Sequence, residues 1–184
     1  EAFAGASVVL LQLEIPLGGV RRAIEEGKAA GATVILNLAP AAPLDEEQLA
    51  GVDILVANEV EAATLTGGRT PGTREEAARV SRRLLELVPH VVLTLGKEGA
   101  VWASAKGAGG EVSAHPVTVR DTTAAGDTFV GMLAARLAGG DELAQAVRWA
   151  NAAGALATTE EGAQSSIPGL ERVSALLAAN GGGA

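Results

Sequence analysis

Short apolar runs alternate along this chain with segments in which apolar residues recur at helical spacing. Four runs are almost continuously apolar, at residues 7–13, 33–37, 53–58 and 91–95. Runs of this kind are typical of strands that are buried on both faces of a sheet. The segments 17–30 and 73–87 place apolar residues opposite charged ones and predict helices. The alternation predicts an α/β fold, with a doubly wound, mostly parallel sheet and helices on both faces.

The pattern changes after Gly96. Residues 99–105 and 111–119 predict two strands around a Gly-rich turn, which would form an antiparallel hairpin at the edge of the sheet. Beyond them the spacing predicts helices at 126–138, 143–158 and 168–179, and the Gly-rich residues 181–184 predict a flexible tail. Because the chain enters a buried strand almost at once, we expect it to be the C-terminal part of a longer protein.

Composition excludes several classes of function. The formal net charge is −8 and only four of the 184 residues are aromatic, so neither a basic footprint nor a base-stacking surface for nucleic acid is present. The absence of Cys excludes disulfides, thiolate metal sites and cysteine nucleophiles. No apolar run approaches the roughly 18 residues of a membrane helix, and the first residues lack a basic signal-peptide region. We therefore expect a cytoplasmic protein without a membrane partner.

Polar residues follow the predicted strands, where ligands bind in open α/β sheets. They are Glu14, Asn37, Asn58 and Thr94, and the segment 121–127 follows the last predicted strand. Asn and Glu also cap helices, so a structural role and a binding role are equally open for each of these positions. The pair Glu59 and Glu61 precedes an apolar stretch and is open to the same two interpretations, a helix cap or a metal contact.

The segment Asp121–Asp127 carries the strongest candidate chemistry. Ala and Gly lead directly into an apolar helix, whose first N–H groups have no intrahelical acceptor and whose dipole favours an anion. This pattern predicts an anion hole for a phosphate, with Asp127 beside it as a base that accepts a proton from an attacking hydroxyl. The alternative is that Asp127 is only an acidic first-turn residue that stabilises the helix.

Two common nucleotide motifs are absent from the chain. It has no G-x-x-x-x-G-K-[ST] sequence, and no G-x-G-x-x-G lies between a strand and a helix. A nicotinamide-dependent dehydrogenase is therefore unsupported.

His90 and His115 are isolated in sequence and predict no metal site.

Residues 121–129 resemble the C-terminal signature of the ribokinase (PfkB) family of sugar kinases, with Ala124 where the commoner form has Gly. Further stretches agree in order with this family, at residues 11–16, 36–41, 58–62, 94–99 and 162–168. Leu38 and Ala57 depart from it, since Pro is usual at both positions. The resemblance implies a ribokinase-like fold and ATP-dependent transfer of the γ-phosphoryl group to a sugar hydroxyl, with the 5-hydroxyl of D-ribose favoured.

The resemblance also implies roles for individual residues. Asp127 matches the catalytic base, the amides of Ala125, Gly126 and Asp127 match the anion hole, and Glu14 together with Asp127 matches the sugar contacts. The implied ATP contacts are Asn58, Thr94, Leu95, Gly96, Lys97, Glu98, Gly99, Gly126, Asp127 and Asn151. Glu61 matches a contact to Mg²⁺ through water. The implied K⁺ site consists of Asp121, Thr123, Ala157, Glu160, Gly162 and Ser166, mostly through backbone carbonyls.

Members of the family also carry an N-terminal portion with a sugar-binding segment and a lid that mediates dimerisation. The resemblance therefore implies that residues 1–180 are the nucleotide-binding C-terminal portion of such a kinase, and that the full-length protein is a homodimer. Two alternatives stay open, another sugar or nucleoside kinase of the family and a module that binds nucleotide without turnover.

Overall fold

The computed structural model describes residues 3–180, which divide after Glu111 into two compact units. The first unit is built on a six-stranded sheet in which the strands lie in chain order. These strands are β1 (Val8–Leu11), β2 (Thr33–Asn37), β3 (Ile54–Asn58), β4 (His90–Thr94), β5 (Ala100–Ser104) and β6 (Gly109–Val112). Strands β1 to β4 are parallel and β5 runs antiparallel to β4. The predicted α/β class, with a mostly parallel sheet and an antiparallel edge hairpin, is confirmed.

Four helices of the first unit pack on one face of this sheet. They are α1 (Leu17–Ala29), α2 (Glu46–Leu49), α3 (Glu59–Thr66) and α4 (Arg74–Leu84). Val34 and Leu55 point into the apolar core that these helices form with the sheet, which also contains Leu84 of α4. The alternate residues Ile35 and Val56 are equally buried. Both faces of the central strands are therefore buried, which explains why their sequences are continuously apolar.

Side-chain caps fix where the short helices begin. The Asp45 carboxylate accepts the Gln48 N–H at 2.8 Å and the Gln48 side chain accepts the Asp45 N–H, a reciprocal capping box. The Thr73 hydroxyl accepts the Glu76 N–H, and the Glu76 carboxylate accepts the N–H of Gly72, the residue before the cap. These caps satisfy N–H groups that have no partner inside the helix.

The second unit is helical, with α5 (Ala125–Ala138), α6 (Leu143–Ala157) and α7 (Leu170–Asn180). Helix α6 is rich in Ala, and Ala152 and Ala153 are fully buried together with Val173 of α7. Small side chains let the axis of α6 lie close to its neighbours, and larger residues such as Met132, Trp149 and Leu177 pack around them. None of the helices within residues 3–180 is long and apolar enough to cross a membrane.

Two elements differ from the sequence prediction. Helix α3 was not predicted as an element, although the Glu59/Glu61 pair was noted as a possible cap. The second hairpin strand ends at Val112 and does not extend to Val119. Pro116 lies in that segment and has no N–H for a strand ladder, which gives a physical reason for the earlier end. The predicted flexible tail, residues 181–184, lies outside the described residues.

Candidate functional site

Asn58 and Thr94 lie side by side at the carboxyl ends of β3 and β4, where they are register partners. Asn58 is the N-cap of α3, and its side-chain oxygen accepts the N–H groups of Val60 and Glu61, both at 2.9 Å. The Glu61 carboxylate in turn accepts the Asn58 N–H at 2.8 Å. The residue pair is therefore a capping box, so the cap interpretation of Glu61 is correct.

Burial raises the pKa of the half-buried Glu61 carboxyl above its ordinary value, and the neighbouring Glu59 charge adds to this. The hydrogen bond from the Asn58 N–H acts in the opposite direction. A carboxylate that has lost part of its hydration gains stability from a nearby cation. Within residues 3–180, no three His, Cys, Asp or Glu side chains are grouped to hold a metal ion. Any ion near Glu61 would thus be held mainly by water and by ligand oxygens, as is common for Mg²⁺.

The segment Thr94–Gly99 forms a tight turn after β4. Residues Gly96–Glu98 make one 3₁₀ turn, in which the Glu98 N–H donates to the Leu95 carbonyl at 2.9 Å. The Leu95 N–H in turn donates to the Gly99 carbonyl at 2.8 Å and joins the two flanks of the turn. Gly96 and Gly99 both have positive φ, +48° and +95°, which a residue with a Cβ rarely adopts. Gly96, Lys97 and Glu98 are exposed. The turn therefore presents backbone to solvent near the end of β4, where a ligand could contact it.

Arg74, the first residue of α4, links this turn to the hairpin. Its guanidinium lies 3.8 Å from the Glu98 carboxylate and 3.9 Å from that of Glu111 in β6. Arg74 is not among the site residues predicted from the sequence. Glu14, the predicted sugar contact, is exposed three residues beyond the end of β1, on the same edge of the sheet as Asn58 and Thr94.

In the second unit, α5 begins without a side-chain cap. Its N-cap residue is Ala124, which has a left-handed backbone with φ 60° and ψ 7°. Among residues 3–180 it is the only residue other than Gly with positive φ. The Ala125 N–H donates to the Thr122 carbonyl at 3.2 Å and the Thr128 N–H to the Ala124 carbonyl at 2.8 Å. The left-handed residue turns the chain sharply into the helix, in a conformation that Gly adopts more readily than Ala.

The first turn of α5 has the open amino end that the sequence predicts. A Cβ added at Gly126 would meet no other atom within 4 Å, so the backbone here is accessible. Asp127 is exposed in the same turn. The backbone at the predicted anion hole is thus accessible at Gly126, whereas the amide of Ala125 donates to the Thr122 carbonyl.

Asp121 holds two loops of the second unit together. One carboxylate oxygen accepts the Thr123 N–H at 2.8 Å and the other accepts the Gly162 N–H at 3.0 Å. Hydrogen bonds from the Thr123 side chain, the Gly162 amide and the Thr123 amide lower the pKa of Asp121 to about 2. Asp121 is therefore ionised at neutral pH. Of the six predicted K⁺ contacts, the structure joins Asp121, Thr123 and Gly162 by these bonds.

The other predicted K⁺ contacts are engaged in different ways. The Glu160 carboxylate pairs with Arg172, and the buried Ser166 hydroxyl donates to the Ala163 carbonyl at 2.8 Å. Ala157 ends α6 and is fully buried. The predicted K⁺ site, mostly through backbone carbonyls, stays a prediction.

Asn151, the predicted adenine-side contact, is 8% exposed and lies within α6. Its side-chain amide donates to the Ser113 carbonyl at 2.9 Å. This bond fixes the segment after β6 on α6, so the structure gives Asn151 a structural role. No signal in the sequence links two residues that are 38 positions apart.

Comparison with known proteins agrees with these features. Residues 2–170 match the family described as pfkB family carbohydrate kinase. The chain is 40% identical over 174 residues to a ribokinase of Staphylococcus aureus, a match that covers 94% of this chain and 57% of that protein. For a ribokinase of Schizosaccharomyces pombe the identity is 38% over 176 residues, with 94% of this chain and 55% of that protein covered.

Among solved structures, an Arabidopsis thaliana ribokinase complexed with ribose and ATP superposes with a TM-score of 0.87 at 34% identity. That match covers 94% of this chain and 56% of the Arabidopsis chain. The chain thus spans a little over half the length of the curated relatives it matches.

Proposed function

Since the chain belongs to the pfkB family of carbohydrate kinases, we propose that it acts in the ATP-dependent phosphorylation of a sugar hydroxyl, with the 5-hydroxyl of D-ribose as acceptor. The similarity to ribokinases at 38–40% identity supports ribose as the substrate. We place this reaction in the cytoplasm, and the full-length enzyme is proposed to be a homodimer. The structural observation that carries the proposal is the uncapped amino end of α5 with Asp127 in its first turn.

Each group at this helix end has a role in the proposed reaction. The Asp127 carboxylate accepts the proton of the sugar hydroxyl as the oxygen forms a bond to the γ-phosphorus. The bond between that phosphorus and the bridging oxygen breaks, and ADP leaves. The amides of Gly126 and Asp127 donate hydrogen bonds to the oxygens of the migrating phosphoryl group, where negative charge must be stabilised. The Ala125 amide joins them only if it gives up its bond to Thr122.

The remaining site residues are assigned by the same reasoning and by the resemblance to the family. Glu14 is the proposed sugar contact. In the first unit the proposed ATP contacts are Asn58, Thr94, Leu95, Gly96, Lys97, Glu98 and Gly99. In the second unit they are Gly126, Asp127 and Asn151. For Asn151 we expect an indirect effect, because its amide group is engaged by Ser113.

Two cations are proposed, and the residues present fit both. Mg²⁺ offsets phosphate charge, and the half-buried Glu61 carboxylate, with its raised pKa, is suited to a water-mediated contact. K⁺ would be held by Asp121 and by the carbonyls of Thr123, Ala157, Glu160 and Gly162, with Ser166 beside them. The ionised Asp121 carboxylate supplies the negative charge beside these carbonyls.

The test is turnover of ATP with D-ribose, measured by coupled detection of ADP, for the wild type and for Asp127→Asn. Loss of the base is expected to lower kcat by about 10²- to 10⁴-fold while the Kd for ATP stays within a few-fold. Glu142→Gln is the matched control, because Glu142 is an exposed acid at the start of α6 without a side-chain cap bond. Near-normal turnover of Asp127→Asn would refute the assignment of the base.

A second candidate is a module that binds nucleotide without turnover, since such a module would keep the turn at Gly96–Glu98 and the open amino end of α5. ATP binding by calorimetry without ADP production would support that module, including after fusion to the N-terminal portion of a ribokinase. A panel of D-ribose, 2-deoxy-D-ribose, D-fructose and adenosine separates ribokinase activity from that of another sugar or nucleoside kinase. The highest kcat/KM identifies the acceptor.

A further inference from the structure

Gly154 of α6 lies directly against the first turn of α5. A Cβ added to Gly154 would stand 3.2 Å from the Ala125 carbonyl oxygen and 3.5 Å from the Cβ of Phe129. The first distance is shorter than most contacts that a real Cβ makes, and the neighbour is backbone, which cannot rotate away. Gly154 lies within a helix and has no positive φ, so its conformation does not require Gly. Gly is a poor helix former, and the close approach is the feature of the structure that accounts for it.

The atom that Gly154 approaches is part of the proposed anion hole. The Ala125 carbonyl and the Gly126 N–H belong to one planar peptide group. A shift of the carbonyl therefore moves the N–H by a similar amount. Phe129 lies one turn further along the same face of α5 and also meets Gly154, so a new methyl group would press on two successive turns. The helix end would have to move by a few tenths of an ångström.

Helix α6 also fixes the other end of the same loop. The carbonyl of Thr158, the residue after α6, accepts the Arg120 N–H at 2.8 Å and the Asp121 N–H at 3.2 Å. The segment 120–125 is thus held by α6 at its beginning through hydrogen bonds and at its end through the contact at Gly154. One rigid helix sets the distance between the two ends.

From these contacts we infer that Gly154 is a positioning residue for phosphoryl transfer, because its missing side chain sets where the Gly126 amide stands. This inference rests on the proposed function. Gly154 touches neither sugar nor nucleotide in this view and acts only through Ala125. Displacement of catalytic groups by about 1 Å can lower rates about a hundredfold, so a shift of a few tenths predicts a loss of about tenfold.

The experiment compares Gly154→Ala with Gly131→Ala in the full chain. Gly131 lies in the middle of α5, and a Cβ there would meet nothing within 4 Å. Both variants make the same chemical change, and both improve helix propensity. Three quantities are measured: kcat and KM with ATP and D-ribose, the Kd for ADP with and without aluminium fluoride as a mimic of the migrating phosphoryl group, and the Gly126 amide signal in ¹H–¹⁵N spectra.

Gly154→Ala is expected to lower kcat about tenfold and to weaken binding of the aluminium fluoride complex by a similar factor, with KM and the Kd for ADP alone nearly unchanged. The Gly126 signal should shift in this variant and stay in place in Gly131→Ala. Unchanged kcat or an unmoved Gly126 signal would overturn the inference. Failure to fold, or equal loss of affinity for ADP alone, would also overturn it, because Gly154 would then have only a structural role.

A wild-type chain without turnover and without affinity for the fluoride complex would count against the proposed function instead. In that case, the position of the Gly126 amide signal is the only measurement that tests whether Gly154 positions the Gly126 amide. A shift in Gly154→Ala that is absent in Gly131→Ala supports it, and equal spectra reject it.

Discussion

The left-handed backbone of Ala124 makes a quantitative prediction about stability. The conformation costs a residue with a Cβ about 1–2 kcal/mol, because the Cβ crowds the following carbonyl. Ala124→Gly removes this cost but adds conformational freedom to the unfolded chain, which is worth about 0.4–1 kcal/mol. The difference predicts that the free energy of unfolding rises by about 0–1.6 kcal/mol in Ala124→Gly. At this chain length that corresponds to a rise in Tm of up to about 6 °C.

The matched control is Ala134→Gly, in the middle of α5 and without positive φ. There Gly relieves no strain and is expected to lower the free energy of unfolding by about 1 kcal/mol. Unfolding in urea, followed by circular dichroism at 222 nm, gives both values under the same conditions. The two substitutions are chemically identical, so the difference between them isolates the cost of the left-handed conformation.

Equal destabilisation of the protein by Ala124→Gly and Ala134→Gly would contradict the strain at Ala124. Such a result would mean that Ala124 has ordinary helical or extended backbone in solution. The sharp entry into α5, and with it the accessible Gly126 amide, would then lose its structural basis.

Two further predictions concern the folded state. Asp121 has a folded pKa of about 2 against an ordinary value of 3.8. The ionised Asp121 therefore contributes its full share to the free energy of unfolding above pH 4, and this contribution is lost as the pH falls toward 2. Between pH 4 and pH 2, the urea midpoint of the wild type should fall more steeply than the urea midpoint of Asp121→Asn. Gly51 has φ +90°, and a Cβ there would lie 2.9 Å from Ile24. Gly51→Ala should thus lower the free energy of unfolding by about 1–3 kcal/mol. The control Gly18→Ala, in open space on α1, should leave the free energy of unfolding unchanged or raise it. Equal effects of the two substitutions would contradict the strain at Gly51.

The candidate site was partly predictable because its main elements are local in sequence. The Ala–Gly run before an apolar helix marks an open helix end wherever it occurs, and Asp127 follows from its place in the first turn. The cap at Asn58 and Glu61 has a recognisable spacing of three residues, although the sequence alone left its role open. Neither inference requires knowledge of a distant residue.

Other parts of the site depend on pairs that are far apart along the chain. The bond from Asn151 to Ser113, the bond from Gly162 to Asp121 and the packing of Gly154 on Ala125 join residues that are 29 to 41 positions apart. Nothing in the local pattern marks these pairs. The resemblance to the family assigned a nucleotide contact to Asn151, the local pattern did not reveal its bond to Ser113, and no role was predicted for Gly154.

By itself the sequence determined the strands, most of the helices and the residues at the strand ends, because hydrophobic periodicity and turn residues act over a few positions. Tertiary structure decided the bond from Gly162 to Asp121 and the approach of α6 to the first turn of α5. These features result from steric contact and hydrogen bonding between segments that meet only in the folded chain. The position of a peptide group to within tenths of an ångström is set by such contacts and not by the propensities of single residues.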